Sequence, residues 1–149
     1  MRGLYVHIPF CHLICSYCDF IKKQTKDKAE EDGYIKSLIN ELNTIYLDNP
    51  YFDTIFIGGG TPNNLSLENL NLLLKTLKKF KGIIEYTIEC NPELITKEQV
   101  NLFKQYGVNR VSLGVQSFDP ETIKFLKRNH TIHDVENSVR LIKKAGIQN

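Results

Sequence analysis

The feature that most restricts the fold of this sequence is a fourfold alternation between short strand-like segments and segments of helical periodicity. Apolar and polar side chains alternate along residues 4–8, which is the period of two expected of a strand. Similar segments recur at residues 52–58, 83–90 and 110–117, and helical patterns separate them. Strand–helix repetition of this kind predicts an α/β fold with a parallel sheet, either doubly wound or bent into a barrel.

Five helices are predicted between and after these strands from apolar residues spaced three and four apart. The first spans residues 34–49 and ends at Pro50, and the charged residues 22–32 before it are predicted to form an exposed loop or a helix start. Cap residues mark the starts of the other four helices, and glycines close three of them. The predicted starts are Ser66, Thr96 with Gln99 as its capping-box partner, Asp119 and Thr131, and the predicted ends are Gly82, Gly107 and Gly146.

The polar faces of the strands favour one of the two architectures. A parallel strand of a doubly wound sheet is apolar on both faces, because helices cover both. Here three strands carry small or polar side chains on one face, which favours a barrel with a ligand inside. These residues are Tyr5 and His7 on the first strand, Glu85, Thr87 and Glu89 on the third, and Ser112, Gly114 and Gln116 on the fourth.

The four cysteines are spaced in a way that indicates metal binding and not a disulfide framework. Cys11, Cys15 and Cys18 lie in one short segment, whereas Cys90 ends an alternating strand and is predicted to be a buried core residue. Three thiolates on one loop suit a [4Fe–4S] cluster with one iron left open. The alternatives are a tetrahedral zinc site and thiols that bind no metal. The candidate fourth zinc ligands are His7, His12 and Cys90.

Four features fall at the carboxyl ends of predicted strands, which form the working end of a parallel barrel. They are the cysteine loop, the triple glycine at residues 58–60, Glu89 and Gln116. Glycine lets a ligand approach the backbone closely. The segment GGGTP lacks the Lys-Ser/Thr pair of a P-loop, however, which argues against a nucleoside triphosphate. We therefore expect one ligand site that these four features build together.

Composition and charge exclude several classes of function. The net charge is only +2, and the basic residues are scattered among acidic ones. No basic stripe therefore suggests a nucleic-acid partner. No apolar run approaches the ~18–20 residues of a membrane helix. We expect a cytoplasmic, unexported protein without nucleic acid or membrane insertion. Among the histidines, we expect His7 in the interior with its hydrogen bonds satisfied, and His130 and His133 at the surface.

Five motifs of this sequence resemble, in order and spacing, the anaerobic coproporphyrinogen III oxidase family of radical S-adenosylmethionine (SAM) proteins. They are YVHIPFC at residues 5–11, CDF at 18–20, GGGTP at 58–62, IECNP at 88–92 and SLGVQSF at 112–118. The resemblance covers essentially all 149 residues but only the front of the family's longer chain. It implies a partial (β/α) TIM-like barrel of about four βα units, with residues 1–149 as the N-terminal portion of the radical SAM core domain. We expect the chain to stop before a fifth strand.

The same resemblance implies the cofactors and the residues that hold them. In that family three cysteines bind a [4Fe–4S] cluster whose open iron chelates the amino and carboxylate groups of SAM, and reduction of the cluster cleaves SAM to a deoxyadenosyl radical. The implied metal ligands are Cys11, Cys15 and Cys18. The implied SAM contacts are Tyr5 and Tyr17 against the cofactor, Gly59, Gly60 and Thr61 at its methionyl end, Glu89 and Gln116 near the ribose, and Arg128 near the carboxylate. No catalytic residue is implied.

One position separates two branches of this family. The decarboxylase branch typically has a further cysteine two residues after the third cluster cysteine, where this chain has Phe20. The Cys-Asp-Phe ending resembles the haem chaperone branch, whose members bind haem and pass it to haem proteins. The implied partners are SAM, haem or a porphyrinogen, an electron donor and a haem acceptor protein. The alternatives are an oxygen-independent coproporphyrinogen III oxidase, and a non-catalytic fragment that binds a cluster, zinc or nothing.

Overall fold

A computed structural model describes residues 1–24 and 27–149 of the chain. The strands in this part are β1 (Gly3–Ile8), β2 (Phe10–Cys11), β3 (Lys23–Gln24), β4 (Thr54–Gly59), β5 (Glu85–Cys90) and β6 (Arg110–Leu113). The α-helices are α1 (Lys28–Asp48), α2 (Leu67–Leu77), α3 (Lys97–Tyr106), α4 (Pro120–Phe125) and α5 (Ile132–Lys144). Short 3-10 turns at Pro62–Asn64 and Pro92–Leu94 precede α2 and α3. The predicted α/β class is confirmed.

Strands β1, β4, β5 and β6 form one parallel sheet in that order. Successive long strands are therefore neighbours, and the order does not reverse as it does at the switch point of a doubly wound sheet. This strand order is that of a parallel barrel, the architecture that the polar strand faces predicted. The separate pair of β2 and β3 closes the loop that carries the cysteines.

One face of the sheet packs on the helices and forms the core. Alternate residues of β1, β4 and β5 are buried on this face, as the period of two requires, and Val111 and Leu113 of β6 are partly buried there. They pack against the apolar stripes of α2 and α3. The strand residues include Val6, Ile8, Ile55, Ile57, Tyr86 and Ile88, and the helix residues include Leu70, Leu73, Leu74, Leu77, Val100 and Phe103, all 3% exposed or less.

The opposite face of the sheet carries the predicted polar residues. Tyr5 stacks on Phe56 with ring centroids 6.2 Å apart. Arg110 Nη1 donates to Glu85 Oε1 at 3.1 Å across the β5–β6 pair. Thr87 of β5 is the register partner of Arg110 on β6, and it is fully buried. The polar lining that the sequence indicated is therefore present.

The predicted helix starts at Ser66, Thr96, Asp119 and Thr131 are confirmed, because each side chain accepts a hydrogen bond from the first turn of its helix. The capping box predicted at Thr96 is only half formed. The Gln99 side chain instead donates to the Asn63 carbonyl at 2.8 Å. Gln99 therefore joins α3 to the turn after β4.

Two helix boundaries differ from the prediction. Helix α1 begins at Lys28, within the charged segment 22–32, whose residues 25 and 26 lie outside the described part of the chain. Asp27 caps it by accepting from the Ala29 N–H at 2.9 Å. Helix α2 ends at Leu77, well before Gly82, because Phe80 leaves the helical path to pack edge-on against Phe52.

The fourth strand is shorter than predicted. It ends at Leu113, and Gln116 then adopts a left-handed φ of 65°, which is incompatible with an extended strand. Gly114 and Gln116 therefore do not belong to the strand face but to the turn that follows it.

The prediction for His130 is wrong, and the prediction for His133 is confirmed. His133 is exposed, whereas His130 is only 5% exposed. The chain reverses at Lys127, whose φ is 55°, and Arg128 N–H bonds to the Ile123 carbonyl at 3.0 Å. This reversal brings His130 inward beneath the start of α5. Within the described residues, none of the helices combines the length and apolar character that a membrane span requires.

Candidate functional site

The cysteine loop is held between the two short strands that follow β1. Phe10 and Cys11 of β2 pair with Lys23 and Gln24 of β3, and the Cys18 N–H donates to the Cys15 carbonyl at 3.4 Å. Cys11 is buried, whereas Cys15 and Cys18 are partly exposed. All three are free thiols on a loop that faces the carboxyl ends of the sheet strands.

The surroundings of Cys11 act in both directions on the pKa of its thiol. Burial raises the pKa of Cys11, and the neighbouring sulfurs of Cys18 and Cys15 raise it further. A hydrogen bond with Thr61 and the positive charge of Lys22 lower it. Lys22 also donates to the Cys18 carbonyl. The raised pKa of Cys11 disfavours its thiolate, and a bound metal cation favours the thiolate.

The three consecutive glycines at the end of β4, Gly58–Gly60, are required by close packing. A Cβ on Gly58 would lie 2.7 Å from Glu89 Oε2, and one on Gly59 would lie 2.6 Å from the His7 ring. A Cβ on Gly60 would lie 2.8 Å from the Pro9 carbonyl. Gly59 also has a φ of 110°, which L side chains rarely adopt. The glycines therefore bring the turn against the loop that carries the cysteines.

Glu89 extends from the polar face of β5 beneath this turn. Its Oε2 accepts a hydrogen bond from the Gly59 N–H at 3.2 Å. Burial raises the pKa of Glu89, while the Gly59 hydrogen bond and the proximity of His7 lower it. The second carboxylate oxygen has no hydrogen bond from the described residues in this structure, so it is available to a ligand hydroxyl.

Arg128 reaches the same region from the segment after α4. Its Nη2 donates to the Gly114 carbonyl at 2.7 Å and to Asn91 Oδ1 at 3.0 Å, and its Nη1 lies 3.8 Å from Cys15 Sγ. The side chain is only 7% exposed, and the Glu93 carboxylate lies 4.0 Å from Nη2. This guanidinium therefore places a fixed positive charge beside the cysteine loop.

These groups surround one cavity of about 330 Å³. Every predicted site residue except Tyr5 contributes to its lining. Tyr5 is 58% exposed on the polar sheet face, where its hydroxyl bonds to His7 Nδ1 at 2.9 Å. The predicted residues that line the cavity are Cys11, Cys15, Cys18, Tyr17, Gly59, Gly60, Thr61, Glu89, Gln116 and Arg128.

Sequence reasoning missed several polar residues of the site. Lys22 and Asn91 line the cavity, and Asn63 and Glu93 lie behind it. Asn91 N–H donates to Asn63 Oδ1 at 2.9 Å, and Asn63 Nδ2 donates to the Asn91 carbonyl at 3.1 Å, which ties together the loops after β4 and β5. The available signal for Asn63, Asn91 and Glu93 was their position shortly after strands and beside prolines, whereas Lys22 carries no such signal.

The donor set of the cavity fits an iron–sulfur cluster better than zinc. Within the described part of the chain, no three or more His, Cys, Asp or Glu side chains are grouped so as to hold a single metal ion. A cluster has a different requirement, because each thiolate binds a separate iron. His7 has both ring nitrogens engaged, by Tyr5 and by the Ile21 carbonyl at 2.9 Å. Cys90 is buried, as predicted, and burial raises its pKa far above the usual value.

Comparisons with known proteins show the family of the chain. The family described as the radical SAM superfamily matches residues 5–149. The haem chaperone HemW of Bacillus subtilis (strain 168) is 39% identical over 155 residues, which cover 100% of this chain and 41% of the relative. HemW of Lactococcus lactis subsp. lactis (strain IL1403) is 40% identical over 151 residues, which cover 99% of this chain and 39% of the relative.

A solved structure gives a similar result. Coproporphyrinogen III oxidase (HemN) from Escherichia coli, described as a radical SAM enzyme, superposes with a TM-score of 0.84 at 27% identity, over 99% of this chain and 36% of that one. The fold is therefore the partial barrel that the resemblance implied. This chain spans about two fifths of the length of the curated relatives that it matches.

Proposed function

This chain belongs to the radical SAM superfamily, as its motifs predicted, and we propose that it carries the cluster and SAM site of a haem chaperone of the HemW type. The cavity at the strand ends is the observation that carries this proposal, because it brings three thiols and the SAM candidates together from distant segments. The haem role is supported by HemW relatives at 39% and 40% identity over the whole chain.

In this proposal Cys11, Cys15 and Cys18 hold three irons of a [4Fe–4S] cluster. Their placement on one loop, with Lys22 and Arg128 nearby, suits a group that binds thiolates and leaves one iron open. When bound and reduced, the cluster supplies an electron to SAM.

The remaining lining residues would bind SAM. The Gly59–Gly60 backbone and Thr61 form a close wall beside the cysteine loop, which suits the compact methionyl end. Glu89 has a carboxylate oxygen suited to ribose hydroxyls, and Gln116 and Tyr17 line the same cavity. Arg128 offers a guanidinium for the SAM carboxylate. Tyr5 stays a prediction at the margin of the site.

A second candidate function is the oxygen-independent decarboxylation of coproporphyrinogen III. The specific observation that favours it is the HemN superposition, with a TM-score of 0.84. Phe20 favours the chaperone, because it stands where the decarboxylase branch typically has a cysteine. Phe20 is 67% exposed and lines the cavity. The proposed partners of the whole protein are SAM, haem, an electron donor and a haem acceptor protein, in the cytoplasm.

Anaerobic reconstitution with iron and sulfide tests the cluster, followed by electron paramagnetic resonance of the reduced protein with and without SAM. We expect a [4Fe–4S] signal that shifts when SAM is added. Ser substitutions at Cys11, Cys15 or Cys18 should each abolish the signal, whereas Cys90→Ala should retain it. A cluster signal that is indifferent to SAM would contradict the proposed open iron.

Two assays on the same preparation distinguish haem binding from decarboxylation. Anaerobic incubation with coproporphyrinogen III, SAM and a reductant measures decarboxylation, and haem retention is measured by absorbance after gel filtration. We expect retained haem and no decarboxylated product. Formation of protoporphyrinogen would instead establish the second candidate.

A further inference from the structure

Asn63 lies behind the cysteine cavity, outside its lining. It belongs to the 3-10 turn that follows the triple glycine, and it is only 1% exposed. Its side-chain amide bonds to both sides of Asn91, the residue directly after β5. Asn63 Oδ1 accepts from the Asn91 N–H at 2.9 Å, and Asn63 Nδ2 donates to the Asn91 carbonyl at 3.1 Å. A primary amide can make both bonds at once, because it carries a donor and an acceptor side by side.

These two bonds continue the pairing of β4 and β5 beyond the end of the strands. The last paired residues of the two strands are Ile57 and Ile88, so the Asn63 amide acts as an additional link between the segments that follow. The turn that carries Asn63 is itself held from α3, because Gln99 Nε2 donates to the Asn63 carbonyl at 2.8 Å. The position of Asn91 is therefore set by a turn that is fixed on two sides.

Asn91 in turn holds the guanidinium of Arg128. Arg128 Nη2 donates to Asn91 Oδ1 at 3.0 Å and to the Gly114 carbonyl at 2.7 Å, and these two bonds use both hydrogens of Nη2. The Glu93 carboxylate lies 4.0 Å from the same nitrogen, too far for a hydrogen bond. Nη1 is directed toward the cysteine loop, 3.8 Å from Cys15 Sγ. The direction of Nη1 therefore depends on where Asn91 Oδ1 lies.

Burial makes this arrangement sensitive to the loss of one partner. Arg128 is 7% exposed, and its Nε is buried with no hydrogen-bond partner in the described part of the chain. The two bonds of Nη2 are therefore the main constraint on the plane of the guanidinium. Without the Asn63 amide, the segment that carries Asn91 loses two hydrogen bonds to the turn after β4. Asn91 Oδ1 is then free to move away from Nη2, and the guanidinium loses its fixed direction.

We propose that Asn63 is a positioning residue of the SAM site, which fixes Asn91 and thereby sets the direction in which Arg128 presents Nη1 to the SAM carboxylate. The inference rests on the proposed SAM site, and it adds a residue that lines no part of the cavity. The three thiols lie on a different segment, the loop between β2 and β3. Loss of the Asn63 amide should therefore change the binding of SAM and not the assembly of the cluster.

Titration of the anaerobically reconstituted and reduced chain with SAM tests this role by electron paramagnetic resonance. Asn63→Ala should keep the [4Fe–4S] signal of the unaltered chain in the absence of SAM. It should need about tenfold more SAM to shift that signal, because the guanidinium loses a charge-assisted hydrogen bond that holds its direction. Asn63→Asp keeps the shape and the acceptor for the Asn91 N–H, but it sets a carboxylate oxygen against the Asn91 carbonyl. It should weaken SAM binding at least as much.

A double-mutant cycle distinguishes action through Arg128 from a general loss of structure. Arg128→Met keeps an apolar stem and removes the guanidinium, so it should weaken SAM binding by itself. Addition of Asn63→Ala to Arg128→Met should then weaken SAM binding by less than about twofold, because no guanidinium is left to position. A residue that merely supported the fold would weaken SAM binding by the same factor in both backgrounds.

Two matched variants control for the turn and for stability. Asn64→Ala alters the next residue of the same 3-10 turn, whose side chain is partly exposed, and it should bind SAM as the unaltered chain does. Glu31→Ala removes a polar contact between α1 and α2, outside the cysteine cavity. It should lower the melting temperature without changing the SAM concentration that shifts the signal. Circular dichroism checks that each variant folds.

The outcomes separate this inference from the function on which it rests. Unchanged SAM affinity in both Asn63 variants would overturn the positioning role and leave the proposed function standing. An undiminished effect of Asn63→Ala in the Arg128→Met background, or loss of the cluster signal itself, would also overturn it, since either would indicate a structural role. Absence of a SAM-dependent shift in the unaltered chain would overturn the proposed SAM site together with this inference, while haem retention is tested independently.

Discussion

Gly59 illustrates how one residue limits the whole site. It combines a φ of 110° with a Cβ position 2.6 Å from the His7 ring. The ring of His7 is fixed on both sides by hydrogen bonds to Tyr5 and to the Ile21 carbonyl, so it does not yield easily. The glycine turn, the first strand and the cysteine loop are therefore coupled through one contact.

We expect Gly59→Ala to lower the free energy of unfolding by about 1–3 kcal/mol, because the backbone is strained and the methyl group collides with His7. Denaturation by urea measures the change. The matched control is Gly33→Ala, in the middle of α1 with open space around its Cβ. It should raise the stability by about 0.5–1 kcal/mol. Equal stability of the two variants would contradict the predicted collision.

Glu89 should make the stability of the unloaded protein depend on pH. Burial raises its pKa in the folded state above the ordinary value of 4.5, so the folded state holds its proton to a higher pH than the unfolded chain does. Below the ordinary value the carboxyl is protonated in both states and carries no penalty. As the pH rises through and above 4.5, the unfolded chain ionises first, and the contribution of Glu89 to stability falls.

We therefore expect Glu89→Gln to melt at a higher temperature than the unaltered chain at pH 7, and the two to converge below about pH 4. Thermal unfolding followed across this pH range measures the difference. Gln keeps an oxygen that accepts the Gly59 N–H, so that bond is preserved. A constant difference across the whole range would show that ionisation is not its cause.

Helices α1 and α2 are joined by a polar contact that their apolar stripes did not indicate. Glu31 Oε1 accepts from the Ser66 N–H at 3.0 Å, from Ser66 Oγ at 2.8 Å and from Asn69 Nδ2 at 2.6 Å. Asn69, 3% exposed, also donates to Asp32 at 2.7 Å. This cluster uses the charged start of α1, which explains why the helix extends to Lys28.

We expect Glu31→Ala to lower the free energy of unfolding by about 1–3 kcal/mol, because it leaves the buried Asn69 amide and the Ser66 N–H with fewer partners. Glu41→Ala, on the exposed face of the same helix, should change it by less than about 0.5 kcal/mol. Chemical denaturation compares the pair. If Glu31→Ala and Glu41→Ala changed the free energy of unfolding equally, the Glu31 contact would not contribute to stability.

The cavity beside the cysteine loop is lined by segments from distant parts of the chain, so a ligand bound in it should stabilise the whole molecule. The lining runs from Cys11 to Arg128. A group that binds only the folded state raises the free energy of unfolding, by about 2.7 kcal/mol when its concentration is a hundred times the dissociation constant. The proposed cluster and SAM both belong to this class of ligand.

We expect anaerobic cluster loading to raise the melting temperature and SAM to raise it further, with both increases lost after iron chelation. Differential scanning calorimetry under anaerobic conditions measures them. Cys15→Ala should melt at one temperature with or without iron and sulfide. A rise in that variant equal to the rise in the unaltered chain would place the iron elsewhere.

The local patterns of the sequence were sufficient for the positions of β1, β4 and β5, the start of β6, most of the helix starts and the motifs of the site. A period of two, a cap residue or the spacing of Cys11, Cys15 and Cys18 depends on near neighbours in the chain, so the sequence records it directly. The polar strand faces also predicted the barrel, and the burial of Cys90 followed from its place in an alternating strand.

Contacts between distant segments could not be predicted in this way, because packing determines them. Arg128 and Cys15 lie 113 residues apart in sequence, yet their side chains meet. Gln99 matched a capping box but turns to Asn63 on another loop. His130 follows charged residues and was expected at the surface, whereas the reversal at Lys127 buries it. The local sequence records which groups are present, and the path of the backbone determines which of them face each other in a shared cavity.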